Sequence, residues 1–343
     1  MSGLVVHLDP PDGAWMESHT LKMLHWLGAV VDGFRERSEL PRAAVELIVS
    51  DDAAAAIRTL HGSVVGVEDL GNFTMERVGG VVAAKTMFRN DDHSEAVVIL
   101  DSTIFKSPAA DAWVTQAHVV AHELAHTYIG QLRSAGGAHL APSYLPSEVA
   151  QWLVRFALEE YLADRLAALT LSSLGSVTLP DGTSRPVRSA DVGPVAGEFL
   201  SAAGQALCEV ADLISRYRNT GHDLAGMWRS TYTATEQILI ALAHAESERE
   251  ESVENPSSLL ADLDDVTPLR TAWAELYEIF IRVPLLCPPA EFGAAEAASL
   301  AAGARVVLQL WEELGLTFSD ADEGFRIHVA HPSSSWPYRD AGD

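Results

Sequence analysis

Residues 112–132 read AWVTQAHVVAHELAHTYIGQL, and the spacing of polar groups in this run decides how the rest of the chain is read. Val119, Val120, Ala121, Leu124, Ala125, Thr127 and Tyr128 carry no charge, so the segment is built for burial. Its pattern is that of a helix starting near Ser107-Pro108, with proline at a tolerated first-turn position, and stopping at Gly136-Gly137. Within it, His122-Glu123-Leu124-Ala125-His126 satisfies HExxH. Positions four apart on a helix are neighbours on one face, so both imidazoles reach one metal ion. Zinc accepts neutral histidine nitrogens, and a catalytic site keeps three protein ligands and one open position. Glu123 is placed to take a proton from water attacking a carbonyl. Burying an ionised carboxylate without a partner costs about several kcal/mol, and a metal with its water supplies that partner. The competing reading is two core histidines held by ordinary hydrogen bonds, with Glu123 at the helix edge.

Outward from this helix, the loop SAGGAHLAPSYLP leads to SEVAQWLVRFALEEYLADRLAALTL, residues 147–171, a second long helix with Ser147 as its expected N-cap. Glu160 and Asp164 are four apart and share a face. Glu160 is the candidate third metal ligand, and Asp164 the candidate acceptor that orients a ligating histidine. His118, one turn before His122, and Glu159, about 100° round the helix from Glu160, are the alternative ligands. A metzincin arrangement needs Gly and His three and six positions beyond the second histidine. Ile129 and Leu132 stand there, which excludes it. Tyr144 and His139 are available as donors to a developing oxyanion. His328 and His331 read as surface or packing residues, and Trp152, Trp228, Trp273 and Trp311 as core.

HELAH followed by EYLAD resembles the HExxH and ExxxD pair of the gluzincin metallopeptidases, and over residues 95–172 it is most similar to the ImmA/IrrE type. That resemblance implies His122, His126 and Glu160 as ligands of one Zn2+ ion, Glu123 as general base and Asp164 behind the ligands. It implies an α+β, predominantly helical chain whose zincin-like metallopeptidase domain carries a small sheet. The activity it implies is hydrolysis of peptide bonds in a protein or peptide substrate, with a regulatory intracellular role. The rival is a zinc-dependent sensor or binding module without proteolysis, which would not require Glu123.

The remaining segments fit that frame. TLKMLHWLGAVVDGFRER predicts a helix over roughly 16–37, AVELIVSDD a strand and AAAAIRTLHG a helix. MERVGGVVAAKTMF reads as a strand broken at Gly79-Gly80, and AVVILDST as another. Asp181-Gly182 predicts an exposed hairpin, and 192–218, 223–249, 268–283 and 289–314 carry helical periodicity. Residues 246–265 read as an acidic connection, and GFRIHV as a short strand before a polar tail. We therefore expect a metallopeptidase domain at 1–175 and a helical domain with an N-terminal hairpin at 176–343.

Composition bounds the partners. With 343 residues, 48% of them hydrophobic, the chain has ample material for a core. Forty-eight acidic against 23 basic residues give a net charge of −25, which repels phosphate backbones and anionic lipid, so nucleic acid and membrane surfaces are not expected partners. Cys208 and Cys287 sit in apolar surroundings and read as buried free thiols. The N-terminus lacks the basic start and apolar core of a signal peptide, and the expected location is the cytoplasm.

Overall fold

The structure, a computed structural model, describes residues 4–9, 18–60, 76–77, 80–81, 84–106, 112–137, 145–173, 176–178, 184–186, 195–251, 267–321 and 324–331. Among them the chain is predominantly helical with a small mixed sheet, an α+β organisation. The sequence places one boundary near residue 175. In the structure the chain divides into two compact units, each drawn from three segments: Met1–His139, Leu162–Gly193 and Pro284–Ala294 form one, and Leu140–Tyr161, Pro194–Val283 and Ala295–Asp343 the other.

The first unit opens with β1 (Leu4–Asp9), α1 (Ser18–Arg37), β2 (Ala44–Ser50) and α2 (Ala53–Leu60). The short pair β3 (Glu76–Arg77) and β4 (Gly80–Val81) follows, then β5 (Ala84–Phe88) and β6 (Glu95–Asp101). The main sheet has the order β1-β2-β6-β5, with β1, β2 and β6 parallel and β5 antiparallel at one edge. β1 was not expected from the sequence, because one six-residue strand at a terminus gives little periodicity to read. β6, EAVVILD, is buried along almost its whole length, as a central strand covered on both faces must be. Side chains alternate across the sheet. Val97 and Ile99 therefore pack with Ala53, Ile57 and Met87 on the α2 side, leaving Ala96, Val98 and Leu100, all buried, on the other.

The motif helix α3 (Ala112–Ala135) packs on β5, β6 and α1. Its C-terminal glycines have separate reasons. Gly137 adopts φ 74°, the left-handed conformation that ends a helix. A Cβ on Gly136 would lie 2.5 Å from the Pro289 carbonyl oxygen, so only glycine permits that backbone approach. The helix start expected at Ser107-Pro108 lies outside the described residues, as do Gly79 and the Asp181-Gly182 turn. That turn is flanked by β7 (Ser176–Thr178) and β8 (Ser184–Pro186), which pair antiparallel. The second site helix, α4 (Pro146–Ser172), begins at Pro146 rather than after Ser147. The Leu145 carbonyl accepts the amides of Glu148 and Val149, and proline suits the first helical position because it lacks the N–H that would go unbonded there.

The second unit holds α5 (Val195–Thr220), α6 (Leu224–Glu251), α7 (Thr267–Phe280) and most of α8 (Pro289–Glu313). The four periodic segments of the sequence correspond to these helices. Trp273 and Trp311 are fully buried, and each indole N–H finds an acceptor, Glu246 Oε2 at 3.1 Å and Thr235 Oγ1 at 3.0 Å. GFRIHV is β10 (Gly324–Val329), paired antiparallel with β9 (Leu316–Ala321), a strand to which the sequence reading gave no assignment. Cys287 is buried and Cys208 is exposed, both as free thiols; α5 turns Cys208 outward, contrary to expectation. No helix among the described residues is long and apolar enough to cross a membrane.

Candidate metal centre

α3 places His118, His122 and His126 at successive i, i+4 positions, and the part of α4 in the same unit supplies Asp164. The Nε2 atoms of His122 and His126 are 3.0 Å apart, close to the ~3.3 Å separation of two nitrogens bound tetrahedrally to one zinc at about 2.0–2.1 Å. His122 Nδ1 lies 2.6 Å from Asp164 Oδ1. A carboxylate can only accept, so neutral His122 carries its proton on Nδ1 and turns the Nε2 lone pair toward His126. Two ring nitrogens that close need a proton or a cation between them. The donor set therefore fits a divalent metal, and the Asp164 contact has the geometry of the carboxylate–histidine–metal relay.

Donor atoms of His122, Glu123 and His126 all lie within 4.8 Å of one another. Glu123 and His126 are 8% and 9% exposed, so the centre is largely withdrawn from water. Glu123 has a partner that sequence reading missed. Thr86 on β5 directs its hydroxyl to Glu123 Oε2 at 2.7 Å and to the Glu123 carbonyl at 2.9 Å. Met87 packs toward α2, and alternation along β5 turns Thr86 and Phe88 toward α3. A threonine in a strand satisfies β-propensity whether or not it serves a site, so nothing local in the sequence distinguishes it.

Glu160 lies one helical turn before Asp164 on α4, within the second unit's stretch of that helix. There its Oε2 is 3.8 Å from Nε2 of His244 on α6, whose ring stacks on Phe199 at 5.0 Å between centroids. The alternative ligand His118 approaches Asp164, Nε2 to Oδ1, at 3.6 Å. Glu159 is half-buried, and His328 and His331 are exposed. His139 and Tyr144 fall outside the described residues.

α3 is tied down just past the motif. Tyr128, fully buried, donates its hydroxyl to the Leu285 carbonyl at 2.7 Å and lies 2.6 Å from Ser38 Oγ. Burial pushes its phenol up to about 12 from an ordinary value of 10. A folded-state value above the unfolded one gives stability that is complete below pH 10 and lost as pH climbs toward 12. The loss amounts to about 2–3 kcal/mol over that window. Denaturant titrations at a series of alkaline pH values should show this fall in the native chain and a shallower one in Tyr128→Phe; equal slopes would dismiss the effect.

The chain matches no protein-family model, no curated protein and no solved structure.

Proposed function

We propose that this chain is a zinc-dependent metallopeptidase with a zincin-like first unit, acting on a protein or peptide substrate. The observation that carries the reading is the convergence of His122 and His126 Nε2 at 3.0 Å with Asp164 behind His122 and Glu123 alongside. Its resemblance to the gluzincins rests on the same residues. His122 and His126 are the two ligands proposed on α3, and Glu160 is proposed as the third because the resemblance implies it. These residues would hold a zinc ion, which would supply Lewis acidity toward a carbonyl and lower the pKa of a bound water toward about 7.

Each protein group then has a defined task. Asp164 keeps the His122 proton on Nδ1 and raises the basicity of Nε2. Glu123 accepts a proton from the attacking water and returns it to the leaving amine, so no covalent acyl-enzyme forms. The Thr86 hydroxyl fixes the rotamer of Glu123 and leaves it further lone pairs for the water. A peptide substrate is favoured by β5. Among the described residues it is an edge strand of the sheet, and its backbone can pair with an extended chain while Thr86, on that same strand, touches the base.

The test is metal content joined to activity. Purified chain should hold one tightly bound zinc by elemental analysis, cleave peptides from a proteome-derived library, and lose both on chelation and in His122→Ala. Absence of tightly bound zinc from native chain refolded or expressed with the metal would overturn the reading.

A further inference from the structure

Asp164 faces two histidines of α3. Its Oδ1 is 2.6 Å from His122 Nδ1 and 3.6 Å from His118 Nε2, and the three residues form a second group whose donor atoms lie within 4.8 Å of one another. The two contacts differ in kind. At 2.6 Å only a proton fits between nitrogen and oxygen. At 3.6 Å the His118–Asp164 pair has no hydrogen bond, but the gap matches two ligands about 2.0–2.1 Å from a shared ion at an open tetrahedral angle. His118 and Asp164 side chains are 18% and 7% exposed, so neither is a freely solvated surface group.

From this geometry we infer a second, weaker divalent-cation site formed by His118 Nε2 and the Asp164 carboxylate, occupied when zinc is in excess. It lies on the far side of the His122 ring from the Nε2 pair, so the two ions do not compete for one lone pair. It is weaker for two reasons. It has two protein ligands, with water completing the shell, where the first site has the three proposed for it. A histidine bound through Nε2 carries its proton on Nδ1, and the buried His118 Nδ1 has no acceptor among the described residues, whereas His122 Nδ1 has Asp164. A ligating histidine normally has such an acceptor, and losing it costs about 10–100-fold in metal affinity.

Occupation has a consequence for the first site. A cation on Asp164 withdraws the negative charge that the His122 N–H leans on, making His122 a poorer ligand. Zinc is thus both the activating ion and, in excess, an inhibitor. Only this consequence rests on the proposed peptidase activity; the second site rests on the His118–Asp164 geometry, and its rank below the first on the proposed zinc centre.

The experiment is equilibrium dialysis of the full chain against buffered zinc, with bound zinc counted per chain. Native chain should rise from one equivalent to two as free zinc increases, with peptide cleavage falling about tenfold or more over the second step. His118→Gln should stop at one and escape the fall. Histidine side-chain NMR of the native chain gives a reading free of folding effects: the second equivalent should move the His118 resonances. A native plateau at one, a second equivalent surviving in His118→Gln, or unmoved His118 signals would overturn the inference. A second site lost in His118→Gln in a chain that cleaves nothing would support it while removing the peptidase reading.

Discussion

Glu123→Gln is expected to lower peptide hydrolysis by about 10²–10⁴-fold with zinc still bound, the range a positioned general base contributes. Glutamine keeps the shape of the side chain and can still meet the Thr86 hydroxyl through its carbonyl oxygen, so the helix and its two imidazoles should stay in place. What it lacks is a basic oxygen. Because the effect falls on a proton transfer, kcat should drop more than KM rises. Asp164→Asn is the informative contrast. An amide can accept the His122 proton but carries no charge, so zinc affinity should fall by about 10–100-fold. Cleavage at saturating zinc should fall far less than in Glu123→Gln. Zinc retention by elemental analysis, read beside cleavage rate, separates the two outcomes. Normal cleavage in Glu123→Gln would remove the base from the mechanism and favour a metal-dependent binding module.

The largest effect on stability is expected at Arg35. This guanidinium is 1% exposed, and burial lowers its pKa against the opposing pull of Asp32. It donates to Asp32 Oδ1 at 2.9 Å, Gln131 Oε1 at 2.6 Å and Thr127 Oγ1 at 2.5 Å, joining α1 to the motif helix just beyond His126. Asp32 is itself 6% exposed. Arg35→Ala takes away the cation that compensates a buried carboxylate and opens a cavity, at a cost of about 3–5 kcal/mol. Thermal melting should fall on the order of 5–10 °C, a shift diluted by the length of the chain. The double variant Arg35→Met with Asp32→Leu should recover most of the loss, since two packed apolar groups avoid the desolvation that the ion pair must offset. A melting point unchanged by Arg35→Ala would mean that water reaches this pair.

The helical segments and the motif faces were legible because they depend on neighbours within a turn or two. Leu24, Leu27 and Val31 recur at helical spacing and are all buried in α1. His122 and His126 share a face for the same local reason, as do Glu160 and Asp164. Strands were less legible. β6 shows as a continuous apolar run, whereas β1 and β9 are short and find their meaning only in the strands they pair with.

What the sequence determined by itself is therefore the donor inventory and its helical register: two imidazoles and a carboxylate on one face of α3, two carboxylates on one face of α4. Tertiary structure alone decided which groups meet. His122 reaches Asp164 across 42 positions, and Glu123 meets Thr86 across 37. His118 shares Asp164 rather than joining the Nε2 pair. Arg35, one of several charges in the last turns of α1, is buried among Asp32, Thr127 and Gln131. The physical reason is one of range. Backbone geometry fixes the direction of a side chain from its own helix, while its partner across the core is set by packing of elements whose order and spacing no short window of sequence contains.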